Sequence, residues 1–80
     1  MQDKDILAHI SELVAEEHQL TRQAQQGGLD DAGHARMKEL EISLDQCWDL
    51  LRQRRGMRDA HHNPDEATVR DASVVEHYQQ

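Results

Sequence analysis

The chain has 80 residues, a formal net charge of −7 and only 36% hydrophobic residues. This length leaves room for one small domain and excludes a two-domain enzyme or a dinucleotide-binding α/β unit. No apolar run approaches the roughly 20 residues of a membrane-spanning helix, and the chain opens without a signal-peptide pattern. The single cysteine cannot form an internal disulfide, so we expect a cytoplasmic protein with no membrane association.

Residues 3–26 carry an apolar pattern that is typical of a coiled-coil helix. Apolar residues recur at alternating steps of three and four, at Ile6, Ile10, Leu13, Leu20 and Ala24. Glu17 occupies the one missing step of this stripe, whereas Leu7 and Val14 flank the stripe and widen it. The pattern therefore predicts a first helix over residues 3–26.

A short glycine turn follows this helix. Gly27 and Gly28 predict its end, because glycine readily adopts the left-handed conformation found just after a helix C-terminus. Asp30 or Asp31 can then accept hydrogen bonds from the free amides at the start of a second helix. The turn predicts that the chain reverses direction here.

A second helix is predicted over residues 31–59, which no proline interrupts. The same alternating spacing returns at Met37, Leu40, Leu44, Cys47 and Leu51. Three further apolar residues, Ile42, Trp48 and Leu50, lie beside this narrow stripe. Two long helices joined by a short turn favour an all-α antiparallel hairpin resembling a coiled coil over residues 1–60.

Counting outward from the turn matches apolar residues across the predicted hairpin. Leu13 faces Leu44, and Ile10 faces Cys47 or Trp48. The charged ends also match, because the acidic start of the first helix at Asp3 lies opposite the arginines that end the second helix. Both agreements favour this register.

Residues 61–80 form a C-terminal tail of different composition, predicted to be partly helical or extended. Asn63 and Pro64 are typical of a helix start, and a helical turn or two is expected over residues 64–70. Large apolar groups are few: Val69, Val74, Val75 and Tyr78. We expect the tail to lie along the hairpin or a partner, with full disorder as the alternative.

A two-helix hairpin buries little surface, and small domains without a disulfide usually gain stability from a metal or from association. The wide apolar face favours a homodimer that forms a four-helix bundle; a monomer covered by its own tail and a complex with another protein are alternatives. Glu17 either contacts Arg52 or Arg54 of a second chain or faces solvent. The interface candidates are Leu7, Val14, Glu17, Ile42, Trp48, Leu50, Arg52, Arg54 and Arg55.

Side chains that often carry chemistry show no catalytic or ligand-binding pattern. The arginines of residues 52–58 suit a helix C-terminus, and the charge of −7 disfavours nucleic acid. The six histidines lack metal-ligand spacing, so we predict no metal and no cofactor. Cys47 has His9 nearby in the hairpin count, but a narrow helical interface is expected to offer no cleft for a nucleophile. No catalytic residue is therefore assigned.

The string Leu-Asp-Gln-Cys-Trp-Asp-Leu-Leu-Arg-Gln-Arg-Arg, residues 44–55, resembles a family of short actinobacterial proteins grouped as a domain of unknown function. The segments 13–18, 64–70 and 74–78 carry the same resemblance, which covers nearly the whole chain. It implies a small soluble helical protein whose tail belongs to the domain. The family has no assigned activity, so no catalytic residue is carried over.

These observations favour a non-catalytic interaction module over an enzyme. One alternative is an enzyme, because residues 44–54 are superficially similar to the all-helical chorismate mutases, although the third long helix of those enzymes is missing. Another is a transcription-associated hairpin, because the acidic tip at Asp30 and Asp31 is similar in outline to Gre-type factors. Those factors carry a second globular domain, and helix capping already accounts for aspartates at this place.

Overall fold

The computed structural model describes residues 2–78, and the side chains of residues 76–78 lie outside the description. Two long helices, α1 (Asp3–Gln25) and α2 (Asp31–Asp59), are followed by a 3-10 helix (Pro64–Glu66) and by α3 (Ala72–Tyr78). The helices α1 and α2 pack against each other, which confirms the predicted all-α antiparallel hairpin. None of the helices in residues 2–78 is long and apolar enough to cross a membrane.

The turn between α1 and α2 follows from local hydrogen bonding at the end of α1. The Gly28 amide donates to the Gln23 carbonyl at 2.9 Å, and the Gly27 amide donates to the Ala24 carbonyl at 3.0 Å. This Schellman arrangement requires a left-handed residue, and Gly27 supplies it with a φ of 73°. The predicted role of the glycine pair is confirmed.

Asp30 caps the start of α2, because its side chain accepts a hydrogen bond from the Gly33 amide at 2.8 Å. Gly33 also allows a close approach: a Cβ atom built on it would lie 2.3 Å from Leu29 Cδ1. Glycine is a weak helix former, but at position 33 it leaves room for the side chain of Leu29, which precedes the capping residue.

A second Schellman arrangement ends α2, but its left-handed residue is a histidine. The His62 amide donates to the Met57 carbonyl at 2.7 Å, and the His61 amide donates to the Arg58 carbonyl at 3.1 Å. His61 has a φ of 61°, a region in which a side chain other than glycine is strained. The chain thus turns sharply into the tail at a conformational cost.

The core is small and lies where the start of α1 meets the second half of α2. Ile6, Ile10 and Leu50 form its buried cluster, and the half-buried apolar residues packed against it are Val14, Leu44, Cys47, Leu51 and Ala67. Leu13 and Leu40 are also buried. Leu50, which lies off the predicted stripe, is buried because the tail residue Ala67 packs against this cluster.

The tail lies along α2, and both the 3-10 helix and α3 contact that helix. The Asn63 side chain accepts a hydrogen bond from the Asp65 amide at 3.0 Å, as its predicted capping role requires. The helical turn ends at Glu66, residues 67–71 have no regular structure, and α3 then buries Val75. The side chain of Tyr78 lies outside the described residues.

Replacing His61 by glycine should stabilise the fold, because glycine adopts the left-handed conformation without the Cβ clash. We expect the free energy of unfolding to rise by about 0.5–1 kcal/mol, after part of the gain is lost to the greater entropy of the unfolded chain. Chemical denaturation measures this change. His62→Gly is the matched control and should not stabilise, and equal gains from both variants would contradict the explanation.

Candidate functional site

Arg54 joins three segments of the chain at the open end of the hairpin. Its Nε donates to Asp3 Oδ1 at 2.6 Å, and its Nη1 lies 3.1 Å from both Asp65 Oδ1 and the Pro64 carbonyl oxygen. Arg58 adds an ion pair with the other Asp3 oxygen at 2.8 Å. This Arg54 junction ties α1 and the tail to α2, and it confirms that Asp3 lies opposite the arginines of α2.

The junction changes the acidity of its own carboxylate. Hydrogen bonds from Arg58 and Arg54 lower the pKa of Asp3 below its ordinary value, because both stabilise the ionised form. Arg36, in the second turn of α2, lies 2.6 Å from a Glu16 carboxylate oxygen and lowers the pKa of Glu16 in the same way. The two long helices are therefore joined by ion pairs at the open end of the hairpin and near the middle of α1.

Polar side chains of α2 hold the extended part of the tail. Gln53 Nε2 donates to the Thr68 carbonyl at 2.8 Å, and Gln46 Nε2 donates to the Arg70 carbonyl at 3.2 Å. Between them, buried Asp49 accepts from Gln53 at 3.0 Å and pairs with Arg70 Nε at 3.2 Å. With Arg54, these residues form the tail-binding face of α2.

The residue pattern alone does not predict this role for Gln46, Asp49 and Gln53. Their only signal is spacing: three polar residues at steps of three and four lie on one side of a helix whose other stripe is apolar. Such a polar stripe usually faces solvent. It binds the tail here because residues 67–71 have no secondary structure of their own and leave carbonyl groups that need hydrogen-bond donors.

A largely apolar cavity of about 290 Å³ lies between α1, α2 and the tail. Its lining comprises Asp5, Ile6, His9, Ser43, Gln46, Cys47, Leu50 and Val69. The expectation that this interface offers no cleft was wrong, because Val69 of the tail adds a third wall to the two helices. His9 and Cys47 therefore line one cavity, as their proximity in the hairpin count suggested.

The cavity does not activate Cys47 as a nucleophile. Burial raises the pKa of the Cys47 thiol, so the reactive thiolate is less populated at neutral pH than in an exposed cysteine. His9 is exposed and lies near Glu12, with Nδ1 and Oε2 4.0 Å apart. The cysteine packs against the core cluster as a small apolar side chain.

The face of α2 turned away from the tail carries an exposed tryptophan. Trp48 is 43% exposed, and Leu7 on α1 is 46% exposed. At 100° per residue, Trp48 is rotated by about 160° from Gln46, and Leu7 by about 160° from the cavity residue Asp5. Both residues therefore flank the helix interface on the side opposite the tail, and we call this side the Trp48 face.

The interface candidates from the sequence fall into three groups in the structure. Leu7, Trp48, Arg52 and Arg55 are exposed; Val14, Glu17 and Ile42 are half-buried; Leu50 and Arg54 are buried. Leu50 belongs to the core cluster and Arg54 to the Arg54 junction. Both are therefore occupied within their own chain and are not part of the Trp48 face.

Among residues 2–75, whose side chains the structure describes, no three His, Cys, Asp or Glu side chains lie close enough together to hold a metal ion. Two of the four clustered arginines, Arg54 and Arg58, are engaged by Asp3. The remaining two, Arg52 and Arg55, are exposed on the outer side of α2. Two arginines of the cluster therefore hold the hairpin together, and the other two face outward.

Replacing Arg54 by methionine should release the tail, because the apolar side chain cannot bind Asp3, Asp65 and the Pro64 carbonyl. We expect faster amide hydrogen exchange across residues 64–70 and a lower denaturation midpoint. Arg54→Lys should lie in between, since one ammonium group cannot reproduce the planar fork of arginine. Arg22→Met, at an exposed arginine far from the junction, is the control. Unchanged exchange in the Arg54 variants would contradict this role.

The lowered pKa of Asp3 gives the fold an acid dependence of defined sign. A carboxyl whose pKa is lower when folded contributes stability at pH values above its ordinary pKa near 4. This contribution disappears as the pH falls through the lowered value. Unfolding measured from pH 7 to pH 2 should show a shallower acid decline for Asp3→Asn than for the unaltered chain. The exposed Asp59→Asn is the control, and parallel declines for all three would argue against the junction as a cause.

Comparison with known proteins confirms the resemblance seen in the sequence. A model for a family of proteins of unknown function, DUF2630, matches residues 2–80. Uncharacterised proteins Rv0898c of Mycobacterium tuberculosis and Mb0922c of Mycobacterium bovis are each 49% identical over 77 residues, spanning 95% of this chain and 88% of each relative. No solved structure matches the chain. Because the family model covers nearly every residue, the chain belongs to the DUF2630 family of proteins of unknown function.

Proposed function

We propose that this protein is a non-catalytic protein–protein interaction module that acts as a cytoplasmic homodimer. Two hairpins would pack through their Trp48 faces into a four-helix bundle. The observation that carries the proposal is the joint exposure of Trp48 and Leu7 on the side that the tail leaves uncovered. Tryptophan is enriched among residues that dominate the energy of protein interfaces.

The distribution of apolar side chains supports an interface on this side. On the other side, Ala67 and Val75 of the tail pack against the hairpin. On the Trp48 side, the half-buried Leu44 and Leu51 lie one turn from Trp48 along α2. Packing a second hairpin there would remove the exposed apolar area from water, at about 25 cal/mol per Å².

The dimensions of the chain also favour association. Its radius of gyration is 14.9 Å, against about 11.6 Å for a compact domain of this length. The chain is also elongated, because its longest dimension is 49 Å and its shortest is 16 Å. A second hairpin laid alongside would give each long helix a further neighbour and form a thicker core.

Glu17 supplies a polar argument for a second chain. This carboxylate is half-buried on the apolar stripe of α1, and it has no hydrogen bond or ion pair to any other residue in the described part of the chain. A partly buried charge is costly without a partner. Since Arg54 is occupied within its own chain, the partner of Glu17 would be an exposed cation of a second chain.

Neither alternative function gains a specific observation. The resemblance to chorismate mutases needs a third long helix, whereas α3 has seven residues. At the tip of the hairpin, the Asp30 carboxylate is engaged with the Gly33 amide. Cys47 is free, which agrees with the cytoplasmic location that the proposal includes.

Light scattering after gel filtration, over a hundredfold concentration range, should give the mass of a dimer. Trp48→Gln should raise the dissociation constant at least about tenfold, because a central interface tryptophan is typically worth 2 kcal/mol or more. The helical circular dichroism should be retained, since Trp48 is not among the residues of the core cluster.

Val74→Gln is the matched control, because Val74 has the same exposed fraction of 43% but lies in the tail. It should leave the dissociation constant unchanged. A monomeric mass at every concentration would refute the homodimer. Equal weakening by both variants would place the interface elsewhere.

A further inference from the structure

We propose that the second copy packs antiparallel along α2, with the two-fold axis passing level with Trp48. In this arrangement Glu41 pairs with the partner's Arg55, and Asp45 pairs with the partner's Arg52. The inference rests on the proposed homodimer and adds its orientation and register. It comes from the order of charges on the outer side of α2.

The four charged residues lie on one stripe with Trp48. Glu41 and Arg55 are seven residues before and after it, and Asp45 and Arg52 are three before and four after. Residues at these steps share a helix face. At 1.5 Å per residue, Glu41 and Arg55 each lie about 10.5 Å from Trp48, and Asp45 and Arg52 about 4.5 and 6 Å from it. The two acidic residues before Trp48 and the two basic residues after it therefore lie at similar distances from Trp48.

A two-fold axis through Trp48 would make the charges of the two copies complementary. Antiparallel helices centred on Trp48 bring the acidic half of each copy against the basic half of the other. Parallel helices in register would place Arg55 against the partner's Arg55 and Glu41 against the partner's Glu41. Since like charges at an interface repel, the pattern selects the antiparallel arrangement.

Interactions within the chain do not explain the pattern. None of these four side chains has a hydrogen bond or ion pair to another of the described residues. Glu41 and Asp45 are like charges one turn apart, as are Arg52 and Arg55, and such pairs destabilise an isolated helix. The helix dipole acts only within the terminal turns. It therefore accounts for Arg55, four residues from the end of α2, but not for Glu41, ten residues from its start, or for Arg52, seven from its end.

The space around α2 permits this packing. The helix contacts α1, and its Cys47 packs against the core cluster. It holds the tail through Gln46, Asp49 and Gln53. The stripe centred on Trp48 is exposed or half-buried throughout. A second copy on this stripe therefore displaces neither α1 nor the tail.

Chemical cross-linking tests the register directly. Cys47 is the single cysteine, so a Cys47→Ala background carries no thiol. In this background, one chain receives Glu41→Cys and a second, isotopically labelled chain receives Arg55→Cys. The two chains are mixed and treated with a short bifunctional maleimide, and mass spectrometry then identifies the linked pairs. Light scattering on the background chain establishes in parallel that a dimer is present.

The expected product links residue 41 of one chain to residue 55 of the other, at least about tenfold in excess over 41–41 and 55–55 products. In the antiparallel register, the two identical positions would lie about 21 Å apart along the helix axis. An excess of 41–41 and 55–55 products would overturn the orientation. A dimer without cross-links at either position would overturn the register but keep the homodimer, whereas a monomeric background chain would refute both proposals.

Charge exchange gives an independent readout. A chain with Arg52→Glu and Arg55→Glu, and a chain with Glu41→Arg and Asp45→Arg, should each dimerise at least about tenfold more weakly than the unaltered chain. Their equimolar mixture should recover the dimer as a mixed species in native mass spectrometry. Unchanged dimerisation of both variants alone would overturn the proposed ion pairs.

Discussion

A buried guanidinium must be paired, and this requirement at Arg54 determines how the segments of the chain meet. The side chain of Arg54 is only 7% exposed, and its partners come from the first residue of α1 and from the 3-10 helix of the tail. Removing a charge from water is costly unless hydrogen bonds compensate for it. Closing the hairpin and docking the tail therefore depend on each other, because each supplies partners that the same arginine needs.

The low apolar content of the chain explains why polar groups hold the hairpin and the tail together. A chain with 36% hydrophobic residues cannot cover both sides of a hairpin with apolar packing alone. The tail is therefore attached by side-chain amides that donate to its carbonyl groups, and the apolar contacts of Ala67 and Val75 complete the attachment. One consequence is the cavity beneath Val69, because amide hydrogen bonds hold the tail in place without filling the space below it.

Local and periodic features of the fold could be predicted from the sequence, whereas features made by the tail could not. The helical stripes and the caps at Gly27 and Asp30 depend on residues close together in the chain, so spacing and backbone preference identify them. The sequence pattern predicts Leu50 and Arg54 as interface candidates, because an apolar or charged residue off the stripe is exposed unless a further segment covers it. That segment is bound through its carbonyl groups, which every residue possesses and which leave no signature in the sequence.

Residues 44–55 of α2 contribute to the core, to the contact with the tail and to the outward-facing side of the hairpin. Leu44 and Cys47 pack against the core, Gln46 and Gln53 bind the tail, and Trp48 remains outside. Since successive residues of a helix point 100° apart, neighbouring positions serve different partners. Residues that hold the hairpin and the tail together are thus largely separate from those of the Trp48 face. In the proposed homodimer, a substitution on the Trp48 face would therefore weaken association while the hairpin stays folded.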